Sequence, residues 1–147
     1  YPFFLNTMII TNNPYKIKLN QKIYDKIVCS INFDSISCDN CSHHHWTRHS
    51  YYSRCIDYFF GKLKIIITRI ICCHCGKTHA ILIEGMIPFS SLNFSDIINV
   101  LSSHNSDFVS PPHFYYLKHK YRSISLRNYH NFCLHNRRSF SIIFSTT

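Results

Sequence analysis

The sequence predicts an α+β chain in which a small β-ribbon, clasped by four cysteines, precedes C-terminal helices. Three observations predict it. Two C-x-x-C pairs, Cys38-Asp39-Asn40-Cys41 and Cys72-Cys73-His74-Cys75, flank two strand-like runs over residues 51–60 and 62–71. Gly61 lies between those runs, which is the signal of a hairpin. From Phe94 onward the apolar period becomes helical, with Phe94, Ile97, Ile98 and Leu101 at i, i+3, i+4 and i+7.

Residues 1–29 read as a partly irregular lead-in. Ile17, Leu19, Ile23 and Ile27 fall in mixed periodicity, weakly helical at best, behind a turn at Asn12-Asn13-Pro14. Met8 would make a natural start, which would put residues 1–7 upstream of it. The ribbon occupies 30–86. A hairpin with one cysteine pair at its entry and the other at its exit brings both pairs to one end. The apolar run His79-Ala80-Ile81-Leu82-Ile83 supplies a third strand, broken by Glu84-Gly85. Residues 91–147 form a basic helical region, with a first helix capped by Asn93 or Ser95 and favoured by Asp96 in its first turn. A linker over 103–113 follows, closed by Pro111-Pro112. A second helix is expected from about Ser123 to Asn136, on the spacing of Leu126, Tyr129 and Cys133.

The eight cysteines favour a metal over disulfides. Two C-x-x-C pairs present four thiolates from two tight turns, the arrangement that builds a closed tetrahedral zinc site. Thirty residues separate the pairs, and a long hairpin fills that span. No secretory signal is evident, which points to a reducing cytoplasmic setting where thiols stay reduced. Within the crowded second pair, Cys72 and Cys75 have the separation that aims two sulfurs at one ion. Cys73 and His74 become spacers, and Gly76 follows where left-handed backbone is needed. One structural Zn2+ held by Cys38, Cys41, Cys72 and Cys75 is therefore expected. Cys29, Cys55 and Cys133 read as buried small hydrophobes. Consecutive residues cannot all face one ion, so His43-His44-His45 reads as a solvated run or a polyanion contact.

Formal charge is +9, from 16 Lys and Arg against 7 Asp and Glu, with 11 His besides. A basic chain with interleaved aromatics suits a polyanion such as DNA. No run of 18 apolar residues occurs, so no membrane-spanning helix is expected. The acids Asp25, Asp34, Asp39, Asp57, Glu84, Asp96 and Asp107 supply no trio for two-metal phosphoryl chemistry. Gly76-Lys77-Thr78 echoes a phosphate loop but lacks its earlier glycine. The chain is expected to perform no catalysis.

Residues Cys38–Cys41, Arg48-His49-Ser50, Tyr52, Arg54 and the run Arg69, Cys72, Cys75, Gly76, Lys77, Thr78, His79, Ala80 resemble a small bacterial family of uncharacterised proteins with a transposase-like zinc ribbon. The likeness covers about residues 8–105. Ser50 and Ser42 stand where that pattern has glycine, Asp39-Asn40 fills the first knuckle, and Glu84 replaces a proline. The element is similar to the N-terminal zinc-binding region of insertion-sequence transposases, which helps to hold transposon-end DNA. The resemblance implies DNA binding in a mobile-element setting, with a separate transposase or other protein as a further partner. Expected phosphate contacts are Arg48, His49, Arg54, Lys62, Lys64, Arg69 and Lys77 on the ribbon, and Arg122, Arg127, Arg137 and Arg138 on the helices. The alternatives are a protein-interaction adaptor and a non-functional mobile-element remnant. Oligomeric state is not encoded in these patterns.

Overall fold

The computed structural model describes residues 7–14, 18–58, 61–87, 90–91, 93–102, 111–120 and 142–144. Five strands are named in chain order: β1 (Thr7–Thr11), β2 (Trp46–Tyr58), β3 (Gly61–Cys72), β4 (Thr78–Ile83) and β5 (Ile142–Phe144). Helix α1 spans Gln21–Ser30, α2 Phe94–Ser102 and α3 Pro111–Lys120. The strands form one sheet in the order β2-β3-β4-β1-β5. The α+β class expected from the sequence is the class observed.

Two compact units divide the chain, and the division falls within β2 and β3. The first comprises Tyr1–Arg54, Lys64–Glu84 and Arg137–Thr147, and the second Cys55–Leu63 and Gly85–Asn136. In the first unit, β4 pairs antiparallel with β3 through Arg69↔Ala80, Ile70↔His79 and Ile71↔Thr78. On its other side β4 pairs parallel with β1, from Thr7↔His79 to Thr11↔Ile83. A strand flanked on both sides and covered on both faces needs continuous apolar sequence rather than alternation. Ala80, Ile81, Leu82 and Ile83 meet that demand, and all four are buried.

β1 was not expected from the sequence. Residues 7–11 belong to the sheet rather than to an irregular lead-in, with Met8, Ile9 and Ile10 in the core. Short apolar strands carry too little periodicity to separate from irregular chain. α1 is a regular helix. Asn20 caps it by accepting from the Ile23 amide at 2.9 Å. Its buried side is Tyr24, Ile27 and Val28.

Where β3 and β4 stop pairing, α1 fills the gap. The next cross-strand pair would join the Thr68 amide to the Ile81 carbonyl. Instead the Tyr24 hydroxyl accepts from Thr68 N–H at 2.9 Å and donates to Ile81 C=O at 2.9 Å. Gln21 repeats the device: its Oε1 accepts from the Ile66 amide at 2.6 Å and its Nε2 donates to the Ile66 carbonyl at 3.2 Å. Side chains of one helix thus stand in for a missing length of strand. Burial pushes the Tyr24 phenol well above its ordinary value, so it remains a proton donor.

In the second unit, Asn93 begins α2 as expected: its Oδ1 accepts from the Ser95 amide at 2.7 Å and the Asp96 amide at 3.3 Å. Burial raises the Asp96 carboxyl above its usual range. α3 corrects the last three residues of the expected linker over 103–113, and residues 103–110 lie outside the described residues. Its first residues are Pro111 and Pro112, and proline suits a first helical turn, whose amides have no intrahelical partner. The helix expected over 123–136 lies outside the described residues. Among the described residues no helix is long and apolar enough to cross a membrane.

Replacing Tyr24 by Phe should cost about 1–3 kcal/mol, because it strands a buried N–H and a buried C=O together. Urea unfolding of the metal-loaded protein tests this, with the midpoint lowered and the slope unchanged. An unchanged midpoint would show that the bridge is not maintained in solution.

Candidate metal centre

The two C-x-x-C turns have the same hydrogen-bond pattern. In the first, Cys38 N–H donates to His43 C=O at 2.8 Å and Ser42 N–H to Cys38 C=O at 2.8 Å. In the second, Cys72 N–H donates to Lys77 C=O at 2.9 Å and Gly76 N–H to Cys72 C=O at 2.9 Å. Cys38 thus corresponds to Cys72, Cys41 to Cys75, and Ser42 to Gly76. Both Ser42 (φ 61) and Gly76 (φ 72) are left-handed. The turn therefore demands that conformation, and serine accepts its strain in the first copy.

β3 delivers Cys72 as its last residue, and β2 begins at Trp46, five positions beyond Cys41. The Cys73 amide donates to His45 C=O at 2.9 Å and joins the two turns. Lys77 Nζ meets Asp39 Oδ2 at 3.6 Å across the same junction.

The sulfurs converge. Cys38 Sγ lies 3.6 Å from Cys75 Sγ, and Cys41 Sγ 3.5 Å from Cys72 Sγ. All four fall within 4.8 Å of one another. A tetrahedron with metal–sulfur bonds of about 2.3 Å has edges of about 3.8 Å, so the set fits one ion. Cys38 and Cys72 are buried, while Cys41 and Cys75 are half-buried.

Cys38 and Cys41 resist ionising, whereas Cys75 ionises more readily than a free thiol. Burial pushes the Cys38 thiol up to about 12, against lowering by the Asn40 and Cys41 amides. The His43 amide lowers Cys41, but burial and the Cys72 and Cys75 sulfurs raise it more. Burial also works against the Cys75 thiolate, yet the Lys77 amide, the Asn40 side chain and the Cys38 and Cys41 thiols bring it down to about 7. Amides thus point at three of the four sulfurs, where they stabilise thiolates without adding charge. A divalent cation removes the mutual repulsion outright and displaces the protons.

Sequence reasoning missed His79. It is fully buried in β4, with Nε2 3.9 Å from Cys38 Sγ and 3.9 Å from Asp39 Oδ1. Burial pulls its imidazole down to about 4, opposed by Asp39 and assisted by Lys77. The ring packs edge-on against Trp46 at 4.7 Å between centroids, and Trp46 Nε1 is anchored to Ile36 C=O at 2.9 Å. A lone histidine heading an apolar strand was the available signal.

Neither spacer residue belongs to the four-sulfur set, although a His74 ring nitrogen lies within 4.8 Å of Cys41 Sγ. Cys73 is exposed, with its thiol 3.8 Å from Thr47 Oγ1, and His74 stacks on His43. Cys29 and Cys55 are corrections, since both are exposed rather than buried. Cys29 follows the buried Val28 on α1, and its sulfur accepts from Arg48 Nη2 at 3.7 Å. Cys55 has the opposite alternation to buried Ile56. Cys133 lies outside the described residues.

Of the expected phosphate contacts, Arg48, His49, Lys62 and Lys64 are exposed. Arg54 and Arg69 are half-buried, and the Arg69 guanidinium sits 5.7 Å from the centre of the Tyr52 ring. Lys77 is engaged with Asp39. Arg122, Arg127, Arg137 and Arg138 lie outside the described residues.

Comparison with known proteins found no matching family model, no similar curated protein and no similar solved structure. The likeness to transposase zinc ribbons therefore stands on the sequence motifs alone.

Cys38→Ser and Cys72→Ser should each lose bound metal, whereas Cys73→Ser should keep it, as read by metal content after gel filtration. Equal loss from Cys73→Ser would overturn the ligand assignment. Ser42→Gly should stabilise the loaded protein by about 0.5–1 kcal/mol, because relieved strain exceeds the added chain entropy. Gly76→Ala should destabilise it by about 1 kcal/mol, although a Cβ there meets nothing within 4 Å. Thermal unfolding of both variants checks the pair, and opposite signs are the result expected.

Proposed function

We propose that the chain is a DNA-binding module whose β2-β3-β4 hairpin and strand form a zinc ribbon, with the metal purely structural. Four thiolates are the ligand set of closed zinc sites, which leave no position for a substrate or a reactive water. Softness favours the same ion, since all-sulfur tetrahedral sites select zinc over magnesium or calcium. In this reading the ion fixes the base of the hairpin and so the placement of its cations.

One observation carries the nucleic-acid part. No Asp or Glu occurs between Trp46 and Ile56 or between Gly61 and Cys72, and the two stretches carry Arg48, Arg54, Lys62, Lys64 and Arg69. Arg48, His49 and Lys64 are exposed, and so is Tyr51, at 59%. Positive charge that outnumbers the one acid of these two strands, Asp57, suits a phosphate backbone, which rewards it by counterion release. Sequence reading would need further contacts to base edges. The mobile-element setting rests on the motif resemblance alone.

Binding of the zinc-loaded protein to duplex DNA should weaken steeply as salt rises. Replacing both Arg48 and Lys64 by Ala should flatten the slope of log K against log salt by about 2, or roughly one for each phosphate that is no longer neutralised. Fluorescence anisotropy across a salt series measures both slopes. Absence of binding at low salt would reject the reading, and an identical slope in the double variant would move the phosphate-binding surface elsewhere.

A further inference from the structure

The histidine run beside the first knuckle acquires a partner that its own sequence does not supply. His43 stacks on His74 of the second knuckle, with ring centroids 3.6 Å apart and planes 8° from parallel. A ring nitrogen of each, together with Cys41 Sγ, lies within 4.8 Å of the others. Two imidazoles and a thiolate form a ligand set for borderline ions such as zinc, and not for magnesium or calcium.

One ring nitrogen of His43 is taken up by its neighbour. Its Nδ1 donates to the Cys41 carbonyl at 2.9 Å, since a carbonyl can only accept, which leaves Nε2 as the nitrogen outside that bond. A histidine held at one nitrogen by a backbone carbonyl is oriented to ligate through the other. Cys41 is half-buried and lies on the outer side of the sulfur cluster relative to buried Cys38 and Cys72. Once the cluster holds a divalent ion, four thiolates leave it dianionic. A bound thiolate also retains lone pairs with which to bridge.

We propose that Cys41, His43 and His74 form a second, exchangeable zinc site, sharing the Cys41 sulfur with the tetrathiolate centre. The inference rests on that centre being filled first. His74 rotates out of the parallel stack to face the ion, while His43 stays held by the Cys41 carbonyl. His74 is exposed, so its rotation gives up only the stacking contact. Solvent completes the coordination, which makes this ion more labile than the first. Its ligands come from both knuckles, so its capture reports that the first ion has brought the knuckles together.

Native mass spectrometry of the full chain, titrated with zinc chloride, tests this. Wild type should bind one ion and then a second, while His43→Ala and His74→Ala should stop at one. His44→Ala should still reach two, because it removes a neighbouring imidazole outside the cluster. A wild type that stops at one ion, or a second ion retained by both His43→Ala and His74→Ala, would overturn the proposal. Loss of the second ion from His44→Ala would also overturn it, by assigning the ligand to the wrong histidine. A chain that takes up no ion at all would overturn the tetrathiolate centre and this site with it.

Discussion

Four sulfurs gathered within 4.8 Å cannot all carry charge unless a cation sits among them. Everything around the cluster serves to gather them despite that cost. Two turns of identical hydrogen-bond pattern present one pair each, and amides of Asn40, Cys41, His43 and Lys77 soften the sulfurs' charge. The turns are joined by a backbone bond from Cys73 to His45 and by the Lys77–Asp39 ion pair. Buried His79, packed on Trp46, closes the inner side. A metal bound here would couple to the folding of this end, because a cation relieves the cost of gathering four thiolates.

The rest of the first unit supports the hairpin by a different means. β3 and β4 share only a short ladder before they part, and parting strands expose backbone groups that burial makes expensive. α1 answers with Tyr24 and Gln21, whose side chains bond both strands or mimic one. The same helix buries Ile27 and Val28. One element therefore supplies apolar cover and polar satisfaction together, which ties α1 to β3 and β4.

Legibility in the sequence followed the strength of the local rule. The C-x-x-C spacing identified the four converging sulfurs, since separation within a tight turn decides which can share an ion. The i, i+3, i+4, i+7 pattern located α2, and its Asn93 cap followed from side-chain chemistry. β1 escaped because five residues that pair parallel with a distant strand leave no local signature. α3 escaped because its two prolines read as a stop, although proline at a helix start is a beginning. His43 read as part of a solvated run or a polyanion contact for a related reason: His74, on which it stacks, lies on the other knuckle. Cys29 and Cys55 misled because burial of a cysteine depends on which face of its element it occupies.

The central claim is that one zinc ion sits among Cys38, Cys41, Cys72 and Cys75. X-ray absorption at the zinc edge, on protein loaded with a single equivalent, tests it most directly. The account predicts one shell of four sulfurs at about 2.3 Å with no lighter neighbour. A shell containing nitrogen or oxygen at about 2.0–2.1 Å at that loading would contradict it, because the ion would then be held by other residues.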